Sequence, residues 1–408
     1  MRVSTSCGTA EEKDAIMPHS ITRTAIAGIL ALLLSNTPET VTAADPYEIN
    51  AILPVTGSGA FLGTEEQAAL ATIEARVNQD GGIGGRMIHF VVADDQSSPR
   101  TAVQLAGELV AKHVPIILGS SLSALCSAMV PLVTSGPVLY CFSPGIRPQP
   151  GSYVFSASFS TGDLIAVSLR YLRQRGLDRV ALITSTDTTG QEAERSIDAA
   201  LAAKENSDLK IVAREHFNPT DISAVAQMAR IKASGAQVTI AWSTGTPAGT
   251  LLRSANDAGI EMPILTSNGN LTYNQMRQYA SFLPKELLFP AGPSYAPDEI
   301  SDAPTRAAVA FFLAEFNQQG VRPDNGQSLA WDPALFLVSA LRILGTNVTA
   351  AQLRTYFSSR KNWIGADGSY DFTRVPQRGL GQSGVVIVKW DAANDTWAGV
   401  SHPGGRPL

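Results

Sequence analysis

Gly57, Gly59 and Gly63 are the residues whose spacing comes nearest to a known chemical device. They follow an apolar run, open a helical stretch, and are followed at the next strand end by Asp94 and Asp95, which is the outline of a dinucleotide fingerprint. That fingerprint needs GxGxxG, whose third glycine lets helix and strand touch. Here the spacing is GxGxxxG, and one extra residue turns the helix by about 100°. Nicotinamide chemistry is therefore not expected. The five histidines, His19, His89, His113, His216 and His402, form no HExxH, and neither a GxSxG elbow nor a Walker phosphate loop occurs. Cys126 and Cys141 lie far from any histidine pair, so a zinc site is not expected either. The chain offers no cofactor, metal or catalytic device, which leaves capture of a small molecule as the reading and an exported enzyme as its rival.

Bulk properties narrow the partners. Of 408 residues, 44% are hydrophobic and 16% charged, enough apolar material for two cores. A net charge of -5 without a Lys/Arg block gives no footprint for nucleic acid or an anionic membrane. Residues 25–34 (AIAGILALLL), preceded by Arg23 and followed by Pro38, read as a secretory h-region. Spanning a bilayer takes about 20 apolar residues, so no membrane insertion is expected. Small residues at 41–44 place cleavage before Ala44 or Asp45, and the acidic stretch before Met17 suggests that translation starts at Met17. The only early cysteine, Cys7, precedes the apolar run, which argues against a lipoprotein. The expected product is a soluble, periplasmic monomer. There Cys126 and Cys141 have two fates, a disulfide or two buried thiols.

The elements that must position any site alternate from residue 47 onward. Strands are expected at 47–53, 86–93, 114–118, 137–142, 179–184, 209–214, 237–242 and 263–266, with helices between them. Residues 101–112 carry Ala102, Leu105, Ala106, Leu109 and Val110 on one helical face, and residues 163–175 carry a second such face. Asp94 and Asp95 are expected to bond a loop or to cap the 101–112 helix. The strand pattern restarts near Arg179, so the fold class is α/β with two doubly wound Rossmann-like lobes joined by a hinge. The boundaries follow: 45–158 and 293–366 form one lobe, and 159–292 and 367–408 the other.

Four segments in order carry a resemblance. Residues 53–63 (LPVTGSGAFLG), 77–86 (VNQDGGIGGR), 91–99 (VVADDQSSP) and 365–372 (GADGSYDF) are similar to motifs of the branched-chain amino acid and amide binding proteins. These have the type I periplasmic binding fold and deliver solutes to ABC importers. The resemblance spans residues 45–390. It implies a small-molecule ligand, an ABC permease partner and hinge closure as the mechanism; a ligand sensor of the same fold is the alternative.

In such sheets ligands bind beyond the carboxyl ends of strands. Residues 119–124 (GSSLSA) match the family's Gly-x-x-x-Ser loop, which implies Ser123 as the carboxylate holder with Ser121 behind it. Residues 143–148 (SPGIRP) resemble its next loop, with Gly145 presenting backbone and Arg147 replacing the usual Thr. In the cleft Arg147 would pair with a carboxylate; on the surface it would not. Thr189 stands where relatives carry an aromatic. Trp242 reads as a stacking platform or as core. Thr244 should face the cleft, and Phe61 and Leu62 are candidates for an apolar wall. Asn268 stands where amino acid binding relatives place an acid for the ligand's ammonium, and burying an unpaired ammonium is costly. The expected ligand is a carboxylate, amide or aromatic acid without a cationic amine.

Overall fold

The computed structural model describes residues 45–408, so the export segment and the start at Met17 lie outside the described residues. The first half is a five-stranded parallel sheet built from β1 (Tyr47–Leu53), β2 (Ile88–Asp94), β3 (Ile116–Gly119), β4 (Val138–Cys141) and β5 (Val154–Ser156), in the order β2-β1-β3-β4-β5. Between its strands lie α1 (Ala60–Gln79), α2 (Pro99–Ala111) and α3 (Ser123–Met129). Alternation along β1 divides the core: Ile49, Ala51 and Leu53 pack toward α1, and Ile52 packs toward α2 and α3. Ala102, Ala106 and Leu109, the expected stripe of α2, are buried in that second layer. The side chain of Ser98 caps α2. Asp94 and Asp95 therefore take the other expected role and bond loops.

The second half repeats the plan. After α4 (Thr161–Gln174) come β6 (Arg179–Ser185), α5 (Thr188–Leu201), β7 (Lys210–Phe217), α6 (Val225–Ala233), β8 (Val238–Trp242), α7 (Thr246–Asp257), β9 (Ile264–Thr266), α8 (Tyr273–Tyr279) and β10 (Leu287–Ala291). Its parallel strands run β7-β6-β8-β9-β10, the strand order of the first sheet. Each sheet thus changes direction beside its first strand, at β1/β3 and β6/β8, and each leaves a crevice there beyond the strand ends.

The chain then returns to the first half. Here α9 (Ala303–Asn317), α10 (Asn325–Leu344) and α11 (Ala350–Ser359) follow, with α10 along α1 and α11 over β4. A short hairpin, β11 (Trp363–Gly365) and β12 (Gly368–Tyr370), leads to β13 (Val386–Asp391) and β14 (Thr396–Gly399), which extend the second sheet antiparallel beyond β10.

The chain passes between the sheets three times, and buried polar groups hold these crossings. Arg378, 5% exposed, donates to the carbonyls of Pro144, Ile146, Ala157 and Ser158. Desolvation lowers its pKa to about 10. Asp332 accepts from the N–H groups of Ala366 and Asp367 at 2.8 and 2.9 Å and from the Tyr370 hydroxyl at 2.9 Å.

Candidate ligand-binding site

The two crevices face each other across one small cavity of about 20 Å³, room for a single water-sized molecule. It is lined by Leu62 from α1, residues 121–123 after β3, Ser143 and Pro144 after β4, Thr161, Thr189, Trp242, Thr244, residues 267–269, and Leu329 from α10. No ionisable side chain is among the lining residues. Larger cavities lie elsewhere; the one of about 540 Å³ between α9 and β14 is far from the strand ends that build the crevices.

Local chemistry explains the shape of the first wall. Thr56 donates to Asp94 through both its N–H (3.1 Å) and its hydroxyl (2.6 Å), which folds the opening loop back onto the end of β2. Gly57, at φ +83°, makes that turn against Gln96 and Ser97, where a Cβ would collide. Ser123 opens α3, and its hydroxyl lies 2.7 Å from that of Ser143. Gly145 donates its N–H to Ser143 Oγ at 3.2 Å, and a Cβ at Gly145 would strike Ser123 Oγ. Cys126 and Cys141 form a disulfide, Cα atoms 6.1 Å apart, tying α3 to β4 directly behind these serines.

The second wall is an amide network. Asn270 donates to the Ser243 carbonyl (2.8 Å), Thr266 Oγ1 (3.0 Å) and Ser267 Oγ (3.1 Å), and accepts from the Gly245 N–H (3.1 Å). Thr244 and Ser267 hydroxyls meet at 2.9 Å. Every polar atom of the Asn270 side chain is engaged.

The halves touch on both sides of the cavity. On one side Thr246 donates to the Ser58 carbonyl at 3.1 Å, and the Phe61 ring meets Tyr279 edge-on, centroids 6.2 Å apart. On the other, Arg147 Nε donates to Glu192 Oε1 at 2.7 Å, and Arg195 holds the second carboxylate oxygen at 2.9 Å.

Of the residues expected from sequence, Leu62, Ser121, Ser123, Thr189, Trp242, Thr244 and Asn268 line the cavity. Gly145 stands behind Ser123 rather than in the lining. Phe61 is a contact between halves. Arg147 corrects the cleft expectation: Glu192 takes its guanidinium, the side chain is 60% exposed, and it is absent from the lining. Trp242 is 2% exposed and packs in the core, the second of its two readings, while it also lies among the residues lining the cavity. Sequence reasoning passed over Leu329, which arrives on a remote helix and carried no local signal. It also passed over Glu66. The signal there was the α1 stripe Leu62, Glu66, Leu70, Ile73, Val77, which places a carboxylate in an apolar row.

Glu66 lies immediately behind the lining. It is fully buried beside the Ser121 hydroxyl, and desolvation pushes its pKa up to about 8, the field of Asp95 adding to the rise. Asp95 is also buried; desolvation pushes it to about 6 against the opposing help of the Ser120 hydroxyl and the Ser97 N–H.

The chain belongs to the periplasmic binding protein family, whose sequence model matches residues 46–395. Over 233 residues it is 25% identical to the leucine-, isoleucine-, valine-, threonine-, and alanine-binding protein of Pseudomonas aeruginosa, a stretch covering 56% of this chain and 61% of that protein. Its fold matches the branched-chain amino acid transporter substrate binding protein LivJ of Streptococcus pneumoniae, solved in complex with isoleucine, with a TM-score of 0.73 and 20% identity over 87% of this chain and 99% of that one. It matches a fatty acid ABC transporter substrate-binding protein of Thermomonospora curvata equally well, with a TM-score of 0.74 and 21% identity over 88% of this chain and 92% of that one. At these identities the structural likeness shows the type I periplasmic binding fold. Among the described residues no helix is long and apolar enough to cross a membrane.

Proposed function

We propose that this periplasmic binding protein is the extracytoplasmic solute-binding component of an ABC importer, acting without catalysis and closing around a small carboxylate, amide or aromatic acid. The observation that carries the reading is the cavity itself: it sits where two doubly wound sheets change direction, and neutral hydroxyl, amide and apolar groups line it. Asn268 at this wall offers no charge to an ammonium, which favours ligands without one.

In this reading residues 45–158 with 293–366 and residues 159–292 with 367–408 act as lobes. Ligand docks on Ser121, Ser123 and the Gly145 loop, and Thr189, Trp242, Thr244 and Asn268 close over it. The closed form is what the permease receives, and differential affinity for that form drives closure.

A thermal-shift panel of leucine, valine, isovalerate, isovaleramide, benzoate and hexanoate tests it. Stabilisation by a carboxylate or amide, lost in Ser123→Ala, is the expected outcome. Micromolar binding of leucine or valine that depends on Asn268 would sink the ligand assignment.

A further inference from the structure

Five buried oxygens that make no hydrogen bond of regular geometry lie together behind loop 119–122: both carboxyl oxygens of Glu66, which lie beside the Ser121 hydroxyl, Asp95 Oδ2, which lies beside that of Ser120, and the two serine Oγ atoms themselves. Native interiors satisfy nearly all such groups, and exceptions call for an explanation. A bound cation is a poor one, because the described residues contain no group of three or more acidic, His or Cys side chains able to hold a metal. A proton requires no space.

The groups around Glu66 favour that answer. From β2 come Asp94, which is bound to Thr56, and Asp95, whose charge would repel that of Glu66. From β3 come only the Ser120 and Ser121 hydroxyls. From α10, packed along α1, Asp324 faces Glu65, Asp332 is taken by the 366–370 turn, and Arg342 reaches Asp80 at the far end of α1. No Lys or Arg compensates the Glu66 carboxyl.

We propose that Glu66 determines the hydrogen-bonding sense of Ser121 and is a specificity-determining residue of the cleft, a step that rests on the cavity being the ligand site. A hydroxyl has one donor and two acceptor positions. When Glu66 is neutral, its O–H donates to Ser121 Oγ and the Ser121 O–H points to the cavity, a donor suited to a ligand carboxylate. When Glu66 is ionised, it takes that O–H, and Ser121 shows the cavity only a lone pair, which repels the same carboxylate. On ionisation the Glu66 O–H bond breaks and its proton passes to solvent, and no other covalent bond changes. Because the ligand carboxylate is ionised well below neutrality, any loss of binding between pH 6 and pH 9 reports the protein and not the ligand.

The test has a ligand-free and a ligand-bound arm. In infrared spectra, wild type minus Glu66→Gln should show a neutral-carboxyl carbonyl band at pH 6 that titrates away through about pH 8. With isovalerate as the probe, wild-type affinity should fall up to tenfold between pH 8 and pH 9, the slope for one required proton. Glu66→Gln, permanently neutral and near-isosteric, should bind it without that fall. Ser121→Ala should also lose the pH dependence while keeping the infrared band. A missing band at pH 6, or equal isovalerate profiles in wild type and Glu66→Gln, overturns the proposal. A panel in which no compound stabilises wild type counts instead against the cleft reading, and the infrared arm is read independently of it.

Discussion

The cavity is walled by two loops that leave sheets of the same strand order, yet the supports beneath them are opposites. In the second half, loop 243–245 and residues 266–270 hang from Asn270, whose side chain makes four hydrogen bonds and leaves nothing unsatisfied. In the first half, loop 119–122 rests on two buried carboxyl groups beside two hydroxyls, with five oxygens that make no hydrogen bond of regular geometry. A satisfied network fixes a geometry independently of solution conditions. An unsatisfied acid pair ties geometry to proton concentration. With the proposed role of Glu66, one topology carries a fixed support and a titratable one.

Removing each support should break that contrast in a predictable order. Asn270→Ala takes a partner from the Gly245 N–H and the Thr266 hydroxyl in a site 1% exposed, while the Ser243 carbonyl and the Ser267 hydroxyl keep each other, and should cost about 3–4 kcal/mol in urea unfolding at any pH from 6 to 9. Replacing Cys126 and Cys141 together by Ser frees a loop of 15 residues and should cost about 3 kcal/mol, seen as a lower melting temperature that no longer responds to reductant. Glu66→Gln should have the opposite sign at alkaline pH. The folded pKa of Glu66 is raised above its unfolded value of 4.5 to about 8, so the neutral form's stability is complete below 4.5 and is lost as pH rises toward 8. The variant should melt higher than wild type at pH 8–9, by a margin that shrinks as the pH is lowered toward 5. Arg147→Ala is the smallest effect, under about 1 kcal/mol of stability, because its guanidinium is largely in water.

The contrast between the halves also shows what sequence could and could not convey. Eight strands were readable because short β-branched and apolar runs between helical stretches have one economical interpretation, and the repeated order of the sheets follows from that alternation. The cavity loops were readable because strand ends carry them. Strand β5 escaped because three residues are too few to show a period, and β10 because Pro290 sits inside it. Strands β13 and β14 pair as an antiparallel hairpin outside the alternating pattern that guided the reading. The sequence left Arg147 between cleft and surface because its partner, Glu192, stands 45 residues away on α5. Asn270 and Glu66 escaped for one reason: an amide beside a Gly, or an acid in a helix, is common, and only burial gives it meaning.

The disulfide between α3 and β4 has a mechanical consequence. Ser123 heads the helix that Cys126 anchors, and Ser143 follows the strand that ends at Cys141. These parts are bolted into one plate. Whatever separates the halves must leave Ser123 and Ser143 together. In the proposed binding role, a departing solute would be released first by the hydroxyls of Thr189 and Thr244 and last by the paired serines.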